Sequence, residues 1–108
     1  AQQPTVVRDT GAASAPATSR LDQNRPNPCN GMTVIPFAAA SSGSVDLAVY
    51  SLTGQRLATL ARGVRAAGRH TVPWDGTDDQ GLDLASGAYL YRLQTDAGTA
   101  QRVLLVVR

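Results

Sequence analysis

From Ser44 to Ser51 side chains alternate between two faces without a fault: Val45, Leu47 and Val49 on one, Asp46, Ala48 and Tyr50 on the other. A period of two belongs to a strand with one face on a core. No stretch of ten or more residues shows the 3.6-residue period of a helix, so the chain reads as all-β. Weaker versions of the pattern recur. Met32 to Ala38 places Thr33, Ile35 and Phe37 together, Arg56 to Ala61 returns from a Thr53-Gly54 turn, and Arg69 to Trp74 aligns His70, Val72 and Trp74. Two further β-rich runs, Gly87 to Thr95 and Thr99 to Arg108, flank Asp96-Ala97-Gly98, a short glycine-containing link that signals a hairpin. Short strands at roughly 8–12-residue spacing predict a β-sandwich of about seven antiparallel strands.

The breaks refine this picture. Pro36 inside its run argues for an edge strand or a bulge. Leu57 and Leu60 lie out of step, which predicts a bulge or an early end. Arg62 to Gly68 and Asp75 to Gly81 read as loops, with a short strand at Leu82 to Ala85. In Leu21 to Gly31, Pro26 and Pro28 remove two backbone donors and hold their neighbours extended, so this segment is expected to be a defined loop. Residues 1–20 offer only Val6 and Val7 as bulky apolar surface and read as a linker from an upstream domain, with the sandwich over residues 21–108. Val45, Leu47, Val49, Val72, Trp74, Tyr89 and Leu93 are the expected core.

At 108 residues the chain holds one domain. Its net charge of +2 is small, its arginines are dispersed, and no basic stripe is interleaved with aromatics, which argues against a nucleic-acid partner. No run approaches the roughly 20 apolar residues of a membrane-spanning helix. No export leader is visible either, so an address, if there is one, is expected upstream. Cys29 stands alone and, following a proline turn, is expected to be reachable.

Few residues invite chemistry. His70 has no second ligand or nucleophile to work with and is expected to be a half-buried packing residue. Asp75, Asp78 and Asp79 form an Asx-rich turn; a cation site there is the weaker alternative, because the spacing departs from that of a calcium loop. No residue pattern implies a cofactor or a catalytic group. Among the aromatics Trp74 is expected in the core, and Tyr50 is expected to be the exposed ring. The closing run is different: Val103, Leu105 and Val107 share one face, Leu104 and Val106 the other, and both are apolar. Either a loop covers this strand or one face is a contact surface.

Five segments in order resemble the C-terminal sorting domains of the type IX secretion system, which are related to the immunoglobulin-like domain of the flagellar hook-capping protein. They are Leu21-x-Gln-Asn-x-Pro-Asn-Pro-Cys-Asn, Val45-x-Leu-x-Val-Tyr-Ser-Leu-Thr-Gly-Gln-Arg, Gly68-x-His-x-Val-x-Trp-Asp-Gly, Ser86-Gly-Ala-Tyr-Leu-Tyr-Arg-Leu and the terminal apolar strand. The family motif falls on Pro26, Asn27, Pro28, Gly54, Gly68, Trp74, Asp75 and Gly76; Ser51 stands where the family often has Asp. The resemblance implies an immunoglobulin-like sandwich without catalytic activity. It implies an upstream cargo exported through the periplasm and attached at the outer membrane and cell surface, with cleavage in the preceding linker. The implied partners are the outer-membrane translocon, the shuttle protein and the sortase-like peptidase of that system. An accessory module of an extracellular enzyme, binding polysaccharide through exposed aromatics or acting as a spacer, is the alternative. Sorting recognition is expected on Gly87, Tyr89, Arg102, Val103, Leu104, Leu105, Val106, Val107 and Arg108. Arg102 and Arg108 would supply charge at the strand's ends, and its unpaired edge amides would admit an added strand.

Overall fold

A computed structural model describes residues 19–108. Eight strands follow in order: β1 (Arg20–Leu21), β2 (Arg25–Asn30), β3 (Met32–Ala39), β4 (Gly43–Tyr50), β5 (Arg56–Arg65), β6 (Gly68–Trp74), β7 (Gly87–Thr95) and β8 (Gly98–Val106). No helix occurs among the described residues. The linker expected over residues 1–20 lies outside them except for its last two positions, and Arg20 already pairs with Ala38.

Two sheets face each other. In the first, β3 is central: β6 pairs along it from Thr33↔Trp74 to Ala39↔Gly68, while β1 and then β2 share its other edge. The second runs β5-β4-β7-β8, all antiparallel. Strand β2 also crosses to this sheet, where Cys29 pairs with Val106 in parallel. The architecture is thus the expected sandwich, with a two-residue strand and one parallel pairing added.

The core is the alternation made solid. Ile35 and Phe37 from β3 and Trp74 from β6 meet Val45, Leu47 and Val49 from β4, Tyr91 and Leu93 from β7 and Leu104 and Val106 from β8, all buried. Of the expected core, Val72 and Tyr89 are only half-buried and pack against its rim.

The departures from the sequence reading have local causes. Strand β5 has ten residues against eight in β4, because two register shifts each insert one residue, Leu60 and then Leu57. Those are the positions whose spacing was out of step, and the bulges let both leucines pack on the core. The longer β5 absorbs Arg62 to Arg65, which pair with Asp46 to Gly43 rather than forming a loop. Pro36 sits in a central strand rather than at an edge. The amide of Asp22 donates to its carbonyl at 3.0 Å, just where β1 ends, so no partner needs the N–H that proline lacks. The proline segment expected as a loop forms β2, paired with β3 only at Arg25 and Asn30 because Pro26 and Pro28 cannot donate. Leu82 to Ala85 forms no strand; a single bridge, Thr77↔Asp83, closes that loop.

Candidate functional site

The hairpin places β8 against β7 from Thr95↔Gly98 to Gly87↔Val106. Tyr91 and Leu93 point inward, so Leu104 and Val106 must do so too, and both are sealed in the core. Val103, Leu105 and Val107 face outward at 48%, 39% and 55% exposure. Opposite them on β7, Ala88 pairs with Leu105 and Leu90 with Val103. The result is an apolar row on the outer face of the second sheet. Leu104 and Val106, included in the expected recognition surface, cannot reach a partner in the folded domain.

The edge of β8 is closed, contrary to the sequence expectation. Gln23 Nε2 donates to the Val103 carbonyl at 2.9 Å. Asn27 Oδ1 accepts the Leu105 amide at 2.9 Å. The Cys29 carbonyl accepts the Val107 amide at 2.9 Å. The two arginines are also engaged within the domain. Arg102 Nε donates to the Leu21 carbonyl at 2.6 Å. Arg108 donates through Nε to Leu84 at 2.6 Å and through Nη2 to Gly76 at 2.8 Å, with its amide on Ser86 Oγ. These groups fasten the closing strand to the opening segment and to the loop after β6.

The motif residues are the other half of that fastening. Asn24, buried, donates through Nδ2 to Thr33 Oγ1 and the Pro26 carbonyl, both at 3.1 Å. Its amide donates to Tyr91 Oη at 2.8 Å, and that hydroxyl donates to the Asp22 carbonyl at 2.7 Å. Burial pushes the Tyr91 pKa up, so the phenol stays a neutral donor. Pro26 and Pro28 are exposed, while Asn27 is the residue that holds Leu105. Gly68 opens β6 opposite Ala39. Trp74, buried, donates Nε1 to the Thr77 carbonyl at 2.9 Å. Asp75 accepts from the hydroxyl and amide of Thr77, which hold its carboxyl below the usual value. Gly76 has φ +81°, and a Cβ there would lie 2.7 Å from Arg108 Nη2 and 3.1 Å from Gly31. Only glycine lets the loop approach this closely. In the β4–β5 turn Ser51 Oγ accepts the Gln55 amide at 3.0 Å, so serine caps the turn where the family often has Asp.

The remaining candidates resolve into packing and caps. Asp78 Oδ1 accepts the amides of Gln80 and Leu82, and Asp79 Oδ1 accepts that of Thr59 on the edge of β5. The carboxylates of Asp75, Asp78 and Asp79 thus serve separate amides, and no group of three potential metal ligands converges among the described residues. His70 stacks on Phe37 at 5.1 Å and 25°. Tyr50 is not an exposed ring: it is 7% exposed, held between the guanidiniums of Arg56 and Arg92 at 5.2 and 4.6 Å. Tyr89, half-buried, donates to the Ala85 carbonyl at 2.6 Å, and Gly87 pairs with Val106. Cys29 is fully buried rather than reachable, and burial raises its thiol pKa. Sequence reasoning carried Gln23, Asn24 and Tyr91 only within the resemblance motifs and gave them no role of their own. Their partners on β3, β7 and β8 lie too far along the chain for spacing to connect them.

The FlgD Ig-like domain family model matches residues 30–99. No curated protein sequence matches the chain. Several solved structures share the fold, three of which follow. The dimeric latent PorU of Porphyromonas gingivalis is 20% identical with a TM-score of 0.66, over 82% of this chain and 9% of that one. FlgD from Xanthomonas campestris, which serves hook capping in flagellar assembly, is 27% identical with a TM-score of 0.51, over 84% and 63%. PorZ, a surface component of the type-IX secretion system of P. gingivalis, is 19% identical with a TM-score of 0.51, over 92% and 13%. The chain therefore spans less than two thirds of each of these proteins.

Proposed function

The chain belongs to the FlgD Ig-like domain family, and from that premise we propose that it is a non-catalytic sorting module that directs an upstream cargo through the type IX secretion system to the cell surface. The observation that carries this is the outward row Val103, Leu105 and Val107 on a strand whose edge is already closed. Such a row lies outside the core and is suited to recognition by an outer-membrane acceptor. Recognition then runs through the face of β8, not through strand addition. The ordered motifs in this sequence support the same role, as does the fold shared with a surface component of that system. Translocon, shuttle protein and sortase-like peptidase are the partners proposed, with cleavage before the first strand. Catalysis has no place in this role: the one histidine stacks on a ring, and Asp75, Asp78 and Asp79 cap amides.

The test fuses residues 1–108 to a reporter in a bacterium that has the system. Val103, Leu105 and Val107 are replaced together by Thr, which keeps strand propensity on an exposed face. Surface reporter is expected to fall at least tenfold while the domain's melting temperature holds. A folded triple variant that reaches the surface at the normal level overturns the proposal.

A further inference from the structure

The outer face of the first sheet has a character of its own. Strand β3 turns Val34, Pro36 and Ala38 to its outer face, the first two half-buried and Ala38 covered. Ala38 is paired with Arg20 on one side and Arg69 on the other, and Val34 with Arg25. Residues directly opposite share a face, so three arginines stand around an apolar floor. They line a groove of about 740 Å³, together with Asp22, Pro36 and Ala38. Arg20 and Arg69 stand two strand spacings apart, about 10 Å; Arg25 lies about 13 Å further along, four residues down β3. Arg20 pairs with Asp22 at 3.3 Å. Arg25 and Arg69 have no acidic partner among the described residues. Three arginines less one aspartate leave this face at +2, which equals the net charge of the whole chain.

We propose that this groove docks an extended acidic peptide segment of a partner protein. Its carboxylates would meet Arg25 and Arg69 while its apolar side chains lie on half-buried Pro36, with half-buried Val34 further along the same face. The width between the arginine stems admits a single extended chain, and residues four apart on such a chain repeat at about 13 Å, the spacing of the cations. The sequence of residues 1–18 is not such an acidic segment, since Arg8 and Asp9 cancel. The Asp75–Asp83 loop of a second copy is a closed turn, not an extended chain, and its Asp75, Asp78 and Asp79 carboxylates already accept the amides of Thr77, Leu82 and Thr59. An acidic polysaccharide fits less well, because Trp74, Tyr50 and Phe37 are buried and the half-buried ring that lines the groove, His70, is already stacked on Phe37. This inference rests on the groove alone and does not depend on the sorting role of β8.

The test is fluorescence anisotropy at about 20 mM salt, where exposed charges are weakly screened. The probe is a labelled peptide of roughly eight residues alternating Glu and Val, beside its Gln/Val counterpart and a heparin-derived hexasaccharide. The Glu peptide is expected to bind saturably, and the Gln peptide is not. Arg25→Gln with Arg69→Gln should weaken binding about tenfold, the sum of two exposed charge pairs. Arg25→Lys with Arg69→Lys should retain most of it, and Arg62→Gln with Arg65→Gln, on β5, should leave it unchanged. Absent peptide binding, binding indifferent to the Arg25/Arg69 pair while the variant stays folded, or binding of the hexasaccharide in place of the peptide each overturns the proposal. If the glutamine pair does not fold, a lysine pair that loses binding overturns it as well.

Discussion

Replacing Tyr91 with Phe removes one oxygen and leaves the ring in the core. That oxygen accepts the Asn24 amide at 2.8 Å and donates to the Asp22 carbonyl at 2.7 Å. The Asp22 residue is half-buried, so water can replace the donor at its carbonyl. Asn24 is 1% exposed, and its amide would be left buried without an acceptor. An orphaned buried donor costs about 1–3 kcal/mol and a lost hydrogen bond about 1 kcal/mol, so the expected loss is roughly 2–3 kcal/mol. For a domain of this size that lowers the melting temperature on the order of 10–20 °C. Urea unfolding should show a lower midpoint at an unchanged slope, since the surface exposed on unfolding is the same. A loss below about 0.5 kcal/mol would show that the opening segment is not held by this hydroxyl and that the buried network around Asn24 is incidental.

Gly76→Ala should cost about 1–3 kcal/mol, because the methyl meets Arg108 and Gly31 at a positive φ; Gly54→Ala, at φ +95° with nothing within 4 Å, should cost less, and thermal melts of the two compare them directly. Leu104→Thr with Val106→Thr should unfold or strongly destabilise the domain, a loss the outward triple variant does not share when both are melted side by side. A thiol reagent should label Cys29 only after denaturant is added; labelling of the native domain at the unfolded rate would contradict its burial. Asp75 has a lowered native pKa, so its contribution is present above the ordinary 3.8 and is lost as pH falls toward the native value. The urea midpoint should therefore drop more for the wild type than for Asp75→Asn between about pH 4 and about pH 2.

Much of the fold was legible wherever one face of a strand meets the core. The Val45-Leu47-Val49 row is buried as the alternation predicts, and the faulty spacing of Leu57 and Leu60 marks two real bulges. Proline density hid β2, because a strand that cannot donate along its length carries no periodic signal. Tyr50 departs from its expected exposure for a different reason: it does point outward, but two arginine side chains cover it, and period alone does not register such cover. On β8 two apolar rows left the inward face open, yet the hairpin register with Tyr91 and Leu93 decides it. The groups that close the edge of β8 come from Gln23, Asn27 and Cys29, some eighty residues away, with no local pattern to announce them.

A closed edge and an open face on β8 lead to different behaviour of single amides, and native-state hydrogen exchange reads them one by one. With the edge closed, the Leu105 and Val107 amides exchange as slowly as those of Leu104 and Val106, and Asn27→Ala speeds exchange at Leu105 far more than at its neighbours. Leu105 and Val107 exchanging at unprotected rates in the wild-type domain would mean that the edge is open to an added strand and that recognition need not pass through the outward row.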